Sequence, residues 1–63
     1  MLDNFKTLYN EVFDKNNEVK VCGREKCKNL IKLASTIKPN IDFGNENTGF
    51  MNIDNMIKLR KEL

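Results

Sequence analysis

Between Gly23 and Pro39 the chain carries an apolar stripe that a helix gathers onto one side. Cys27, Leu30, Ile31, Ala34 and Ile37 stand at steps of three and four residues, the spacing at which side chains of a 3.6-residue helix share a face. Pro39 sets the far limit, because the residue before a proline is driven out of helical angles. Gly23 opens the segment, and the spacing predicts a helix over about residues 24–37. A single amphipathic helix cannot bury its apolar face by itself, so the rest of the chain has to supply the surfaces that cover it.

Two further segments have the pattern to do so. Leu2, Phe5, Leu8, Tyr9, Val12 and Phe13 form a second stripe, predicting a helix over 2–13 with Asp3 as its N-cap. Asp14-Lys15-Asn16-Asn17 stops it, since Asn and Asp bond their own backbone and tolerate left-handed angles. Glu18-Val19-Lys20-Val21 then alternates polar and apolar, as a short strand or extended linker would. At the other end, Asn52 or Asp54 caps a third helix over about 53–62. Its inward stripe reads Ile53, Met56, Ile57, Arg60 and Leu63, and Lys58, Arg60 and Lys61 complement the dipole near its C-terminus.

Residues 40–51, NIDFGNENTGFM, are the irregular part. Gly44 and Gly49 bracket a polar turn. Ile41–Phe43 can then pair with Phe50–Met51 or with Val19–Val21, or the segment can be an ordered loop that drops Phe43 and Phe50 into the core. The letters Asp-Phe-Gly at 42–44 echo a kinase motif, but nothing else of a kinase is present and the match is chance. The fold expected is mostly α: a compact three-helix single domain over 1–63, with a short β-ribbon or ordered loop between helices 2 and 3. A small α+β domain is the alternative.

Size constrains function. Sixty-three residues bury only about 60% of the surface an unfolded chain exposes and leave room for a core of about a dozen side chains. A walled substrate pocket of several hundred Å³ does not fit. Histidine is absent, and no paired carboxylates, Ser/His/Asp set or phosphate-cradling loop occurs, so the expectation is no enzyme, no cofactor and no catalytic residue. The N-terminus reads as no secretory signal and no stretch has the ~18 apolar residues of a membrane span. A cytoplasmic location with reduced thiols follows as the expectation.

The two cysteines, Cys22 and Cys27, would point about 140° apart on a helix with α-carbons about 8 Å apart, beyond the ~7 Å reach of a disulfide. Cys27 reads as a small buried hydrophobe. Cys22 has the alternative of a thiol activated by the helix N-terminus and Arg24, although no histidine is present to serve as its base. A zinc site would need four ligands that this chain does not offer, so no metal is expected.

Charge is the stronger functional clue. Between residues 20 and 38, Lys20, Arg24, Lys26, Lys28, Lys32 and Lys38 face one acid, Glu25, for a local charge of +5, whereas the whole chain carries +2. Arg24, Lys28 and Lys32 fall four apart on one helix edge. Such an edge is either a solvated face whose lysine stems cover the core or a contact for an anionic partner. The intervals between helices, about ten and fourteen residues, are too long for a helix-turn-helix. The Asn-, Lys- and Ile-rich composition points to an AT-rich bacterial or phage genome, and the reading that results is a small intracellular binding module, a regulator or inhibitor encoded by a phage or mobile element. It docks on a larger macromolecule, most simply a protein, through Lys20, Arg24, Lys28, Lys32, Asn45, Asn47 and Phe50. The alternatives are a nucleic-acid accessory protein that contacts phosphates, and a homodimeric structural protein.

Overall fold

The computed structural model describes residues 2–21 and 23–63, and its first helix, α1, runs Leu2–Val12. Because the helix already includes Leu2, Asp3 lies inside the first turn rather than at the N-cap. Its carboxylate there faces the positive end of the helix dipole. Phe13 falls just beyond α1, with its N–H still donating to the Tyr9 carbonyl at 2.7 Å.

The Asp14–Asn17 turn is held by its own side chains. Asp14 Oδ1 accepts the Asn16 N–H at 2.8 Å and the Glu18 N–H at 3.0 Å, and Asn17 takes a left-handed φ of 62° that a β-branched residue would resist. The chain returns antiparallel to the end of α1. Instead of a strand over 18–21, the alternation yields one bridge, Phe13 to Val19, followed by a bond from the Lys20 N–H to the Val12 carbonyl at 2.8 Å. The end of a helix offers too short an extended edge for a longer ladder.

Helix α2 spans Arg24–Ile37, the extent its stripe and Pro39 predict. Gly23 precedes it in an extended conformation, and at the far end the Lys38 N–H closes on the Ala34 carbonyl. The ribbon follows as β1, Gly44–Asn45, and β2, Phe50–Met51, paired antiparallel with Gly44 opposite Met51 and Asn45 opposite Phe50. Pairing therefore starts beyond Phe43, not over Ile41–Phe43. Phe43 turns its ring inward, 1% exposed, and its carbonyl accepts the Asn52 N–H at 2.8 Å. Gly44 sits at φ 119°, where an added Cβ would run into the Phe50 carbonyl oxygen and come within 2.7 Å of the Met51 α-carbon.

Helix α3 spans Ile53–Glu62. Asn52 is its cap, accepting the Asn55 N–H through its side chain, while Asp54 sits in the first turn. The expected inward stripe needs one correction: Leu59 is 1% exposed and Met56 is fully buried, but Ile53 is 41% exposed. Ile53 is the first residue of the helix and overhangs the ribbon rather than the core. Arg60 lies with its guanidinium 5.9 Å from the centre of the Tyr9 ring, where cation–π attraction lets a charged residue cap the core without entering it.

The core is Phe5, Tyr9, Val12 and Phe13 from the first segment, Cys27, Leu30, Ile31 and Ala34 from α2, Phe43 from the loop, and Met56 and Leu59 from α3. Tyr9 stacks on Phe13 with ring centres 4.4 Å apart, and its hydroxyl donates to Asn17 Oδ1 at 2.8 Å. The radius of gyration is 10.1 Å, close to the ~10.6 Å expected of a folded chain this long. The architecture is mostly α with a small antiparallel ribbon between helices 2 and 3. Among the described residues no helix is long and apolar enough to cross a membrane.

Candidate binding surface

The polar loop is a built structure. Asp42 Oδ1 accepts the Gly44 N–H at 2.9 Å, and the Asp42 carbonyl accepts Asn55 Nδ2 at 2.7 Å, which ties the start of the ribbon to α3. At the turn, Asn45 Oδ1 accepts the Asn47 N–H at 2.8 Å, the Asn45 carbonyl accepts the Gly49 N–H at 2.8 Å, and the Thr48 hydroxyl accepts the Phe50 N–H at 3.3 Å. Gly49 then lies against the first turn of α2: a Cβ on it would meet the Arg24 carbonyl oxygen at 3.4 Å. The hairpin is thus hydrogen-bonded to α3 through Asp42 and packed beside the first turn of α2 at Gly49.

On this support Phe50 points into solvent, 79% exposed. It stands between two hollows. The first, about 430 Å³, is lined by Val19, Cys27, Met51 and Ile53 together with Arg24 and Thr48. The second, about 630 Å³ and shallower, is lined by Asp42, Asn45, Glu46 and Asn52, with Phe50 and Met51 again forming a wall. The aromatic therefore has an apolar, cationic side and a polar, acidic side.

The seven residues singled out by sequence separate into groups. Arg24 and Phe50 share the apolar hollow, and Asn45 shares the acidic one. Asn45 spends its side-chain oxygen on the turn, so its role there is structural. Asn47 is exposed at the tip, and Lys20 is exposed beside the Phe13–Val19 bridge. Lys28 is half-buried one turn along α2. Lys32, a further turn on and about 12 Å from Arg24 along the axis, lies instead at a groove between α1 and α2 that also holds Leu8, Glu11 and Leu33. The cationic edge is real, but only its Arg24 end meets the hairpin.

Sequence reading did not single out Val19, Met51, Ile53, Asp42 or Glu46 for this surface. Ile53 had a visible signal, since it follows a helix cap and stands three residues after Phe50. The grouping of Val19 with Met51 had none, because it depends on how the ribbon leans on α2. Cys27 is buried in the core as expected, whereas Cys22, and with it the activated-thiol reading, lies outside the described residues. Among the described residues no three of His, Cys, Asp and Glu come together as metal ligands.

Burial raises the Tyr9 hydroxyl above its ordinary value of 10.0, and the Arg60 guanidinium partly opposes the shift. Tyr9 belongs to the core and lines neither hollow, so this shift bears on stability rather than on the surface. Compared with known proteins, the chain matches no family model, no curated protein and no solved structure.

Proposed function

We propose that this chain is a small cytoplasmic binding module, a regulator or inhibitor rather than an enzyme, that docks on a larger protein through the Phe50 hairpin. The observation that carries the reading is the 79% exposure of Phe50 on a hairpin hydrogen-bonded to α3 and packed against α2. Burying a phenylalanine stabilises a structure by about 1.5–3 kcal/mol. A chain with so small a core leaves that contribution unused when free and recovers it on contact with a partner. Rigid support also reduces the ordering cost of binding, and aromatic anchors next to an arginine are the composition of interface hot spots. The apolar hollow beside the ring gives a partner side chain somewhere to go.

The test is capture of partners from the native host by tagged wild type and by Phe50→Ala. Retention by wild type and a loss of about 30-fold or more in the variant support the reading, which corresponds to ~2 kcal/mol. Equal capture by the two proteins sinks it.

The exposed Arg24 and Lys32 favour a second reading, contact with nucleic-acid phosphates. Against it, the Asp42 and Glu46 carboxylates border the same aromatic on which a base would stack. Binding to duplex or single-stranded oligonucleotides at low salt, lost steeply as salt rises, would establish this second reading in place of the first.

A further inference from the structure

We propose that a second copy of this chain covers the Phe50 face, the two copies being paired about a twofold axis through the aromatic. The hollow that holds Arg24 and the hollow that holds Asp42 and Glu46 share Phe50 and Met51 as their common wall, and a surface that carries both signs of charge about one apolar wall can be complementary to itself. Rotating a copy by half a turn about that wall brings the Arg24 side of one chain over the Asp42 and Glu46 side of the other, twice over. The rings of Phe50 meet at the centre, and Ile53, 41% exposed and lining the apolar hollow, flanks them.

Three features support a second copy as the occupant. The charge polarity is that of an isologous interface, in which each residue's contact is repeated by symmetry. A phosphate chain laid along the wall would run against the two carboxylates on one side. The chain is also short enough that association is a usual supplement to its own core. This inference does not depend on the existence of a larger partner, which would compete with the second copy for the same face.

A standard interface takes ~800 Å² from each partner, and the whole surface of this chain is 4308 Å². A pairing confined to the hairpin side is therefore weak and is sought over concentrations from ~10 µM to ~1 mM. Sedimentation equilibrium of the full chain at low salt, with reductant present so that cysteine cross-links do not count, reads it directly. The apparent mass should rise from the 7.4 kDa of one chain toward twice that value. Phe50→Ala, Arg24→Glu and Glu46→Arg alter exposed side chains, and each should raise the dissociation constant at least tenfold.

Mixing provides the decisive arm. Arg24→Glu pairs like charges with itself, and so does Glu46→Arg, but an equimolar mixture of the two places opposite charges in both symmetric contacts. The mixture should dimerise at concentrations where each variant alone stays monomeric. A wild-type mass that stays at one chain throughout overturns the proposal. So does a dimer indifferent to Phe50→Ala, or a mixture no more associated than its components. A wild type that never dimerises but captures a partner in a Phe50-dependent way would remove this inference and leave the proposed function standing. The converse result would do the opposite.

Discussion

Gly49 lies beside Arg24, where an added Cβ would stand 3.4 Å from the Arg24 carbonyl oxygen, at ordinary contact distance from the first turn of α2. The tip of the hairpin and the start of the helix are therefore one unit, and the cation that begins the basic edge is held beside the aromatic that ends the loop. Two glycines make this possible, at φ values of 119° for Gly44 and 83° for Gly49, where an L side chain is strained.

Gly44→Ala should cost more than ~1 kcal/mol and abolish the ribbon, because the new methyl group meets backbone on the opposite strand. Gly49→Ala should cost ~1 kcal/mol from backbone strain alone, since its nearest neighbour stands at ordinary contact distance. Urea unfolding and amide exchange of Asn45 and Phe50 measure both. Equal effects from the two substitutions would contradict the difference in their surroundings.

Phe43→Ala removes a ring from the middle of the core and should cost about 3–5 kcal/mol, comparable to all the stability a domain this small commonly has. The variant should be largely unfolded at 25 °C by circular dichroism. Ile41→Ala, two residues earlier and 39% exposed, should cost less than ~1 kcal/mol. A mild Phe43→Ala would mean that the loop does not contribute to the core.

Tyr9 gives the fold a pH dependence at the alkaline end. Its folded-state value is raised by burial, so the folded chain holds the proton more tightly than the unfolded one. Stability is then complete below about pH 10 and declines as pH rises through that value and beyond. Tyr9→Phe should lose ~1 kcal/mol at neutral pH, with the hydrogen bond to Asn17, and show a shallower alkaline decline. Denaturant midpoints at pH 8, 10 and 11 compare the two proteins, and parallel curves would refute the assignment to Tyr9.

Charge reversal at Lys28 and Lys32 separates the two functional readings. With the hairpin as the docking surface, the double change to Glu should alter partner capture less than about threefold, and capture should vary little between 50 and 200 mM salt. Phosphate recognition along α2 would instead lose affinity by one or more orders of magnitude over that range. A pull-down with a salt series is sufficient.

The three helices were legible in the sequence because their causes are local. A stripe at 3.6-residue spacing, Pro39 after α2 and a capping asparagine before α3 act over a few residues wherever the segment lies. The same locality made the Asp14–Asn17 stop readable, and the segregation of +5 charge into residues 20–38 is visible by counting. Tertiary structure alone decided what those helices do with their ends. Whether Asp3 caps α1, which face of α3 turns inward, and whether Ile41 or Gly44 begins the ribbon depend on how separately formed elements meet. Leu59 displaced Ile53 from the core for that reason. The fate of the two loop aromatics was settled in the same way. Phe43 and Phe50 look alike in the chain, yet the core accepts one ring at that point, and the pairing of Gly44 with Met51 sends Phe50 outward. Burial is a property of the assembled shape, so Phe50 could be named from the sequence as a contact candidate, but its exposure could be read only after folding.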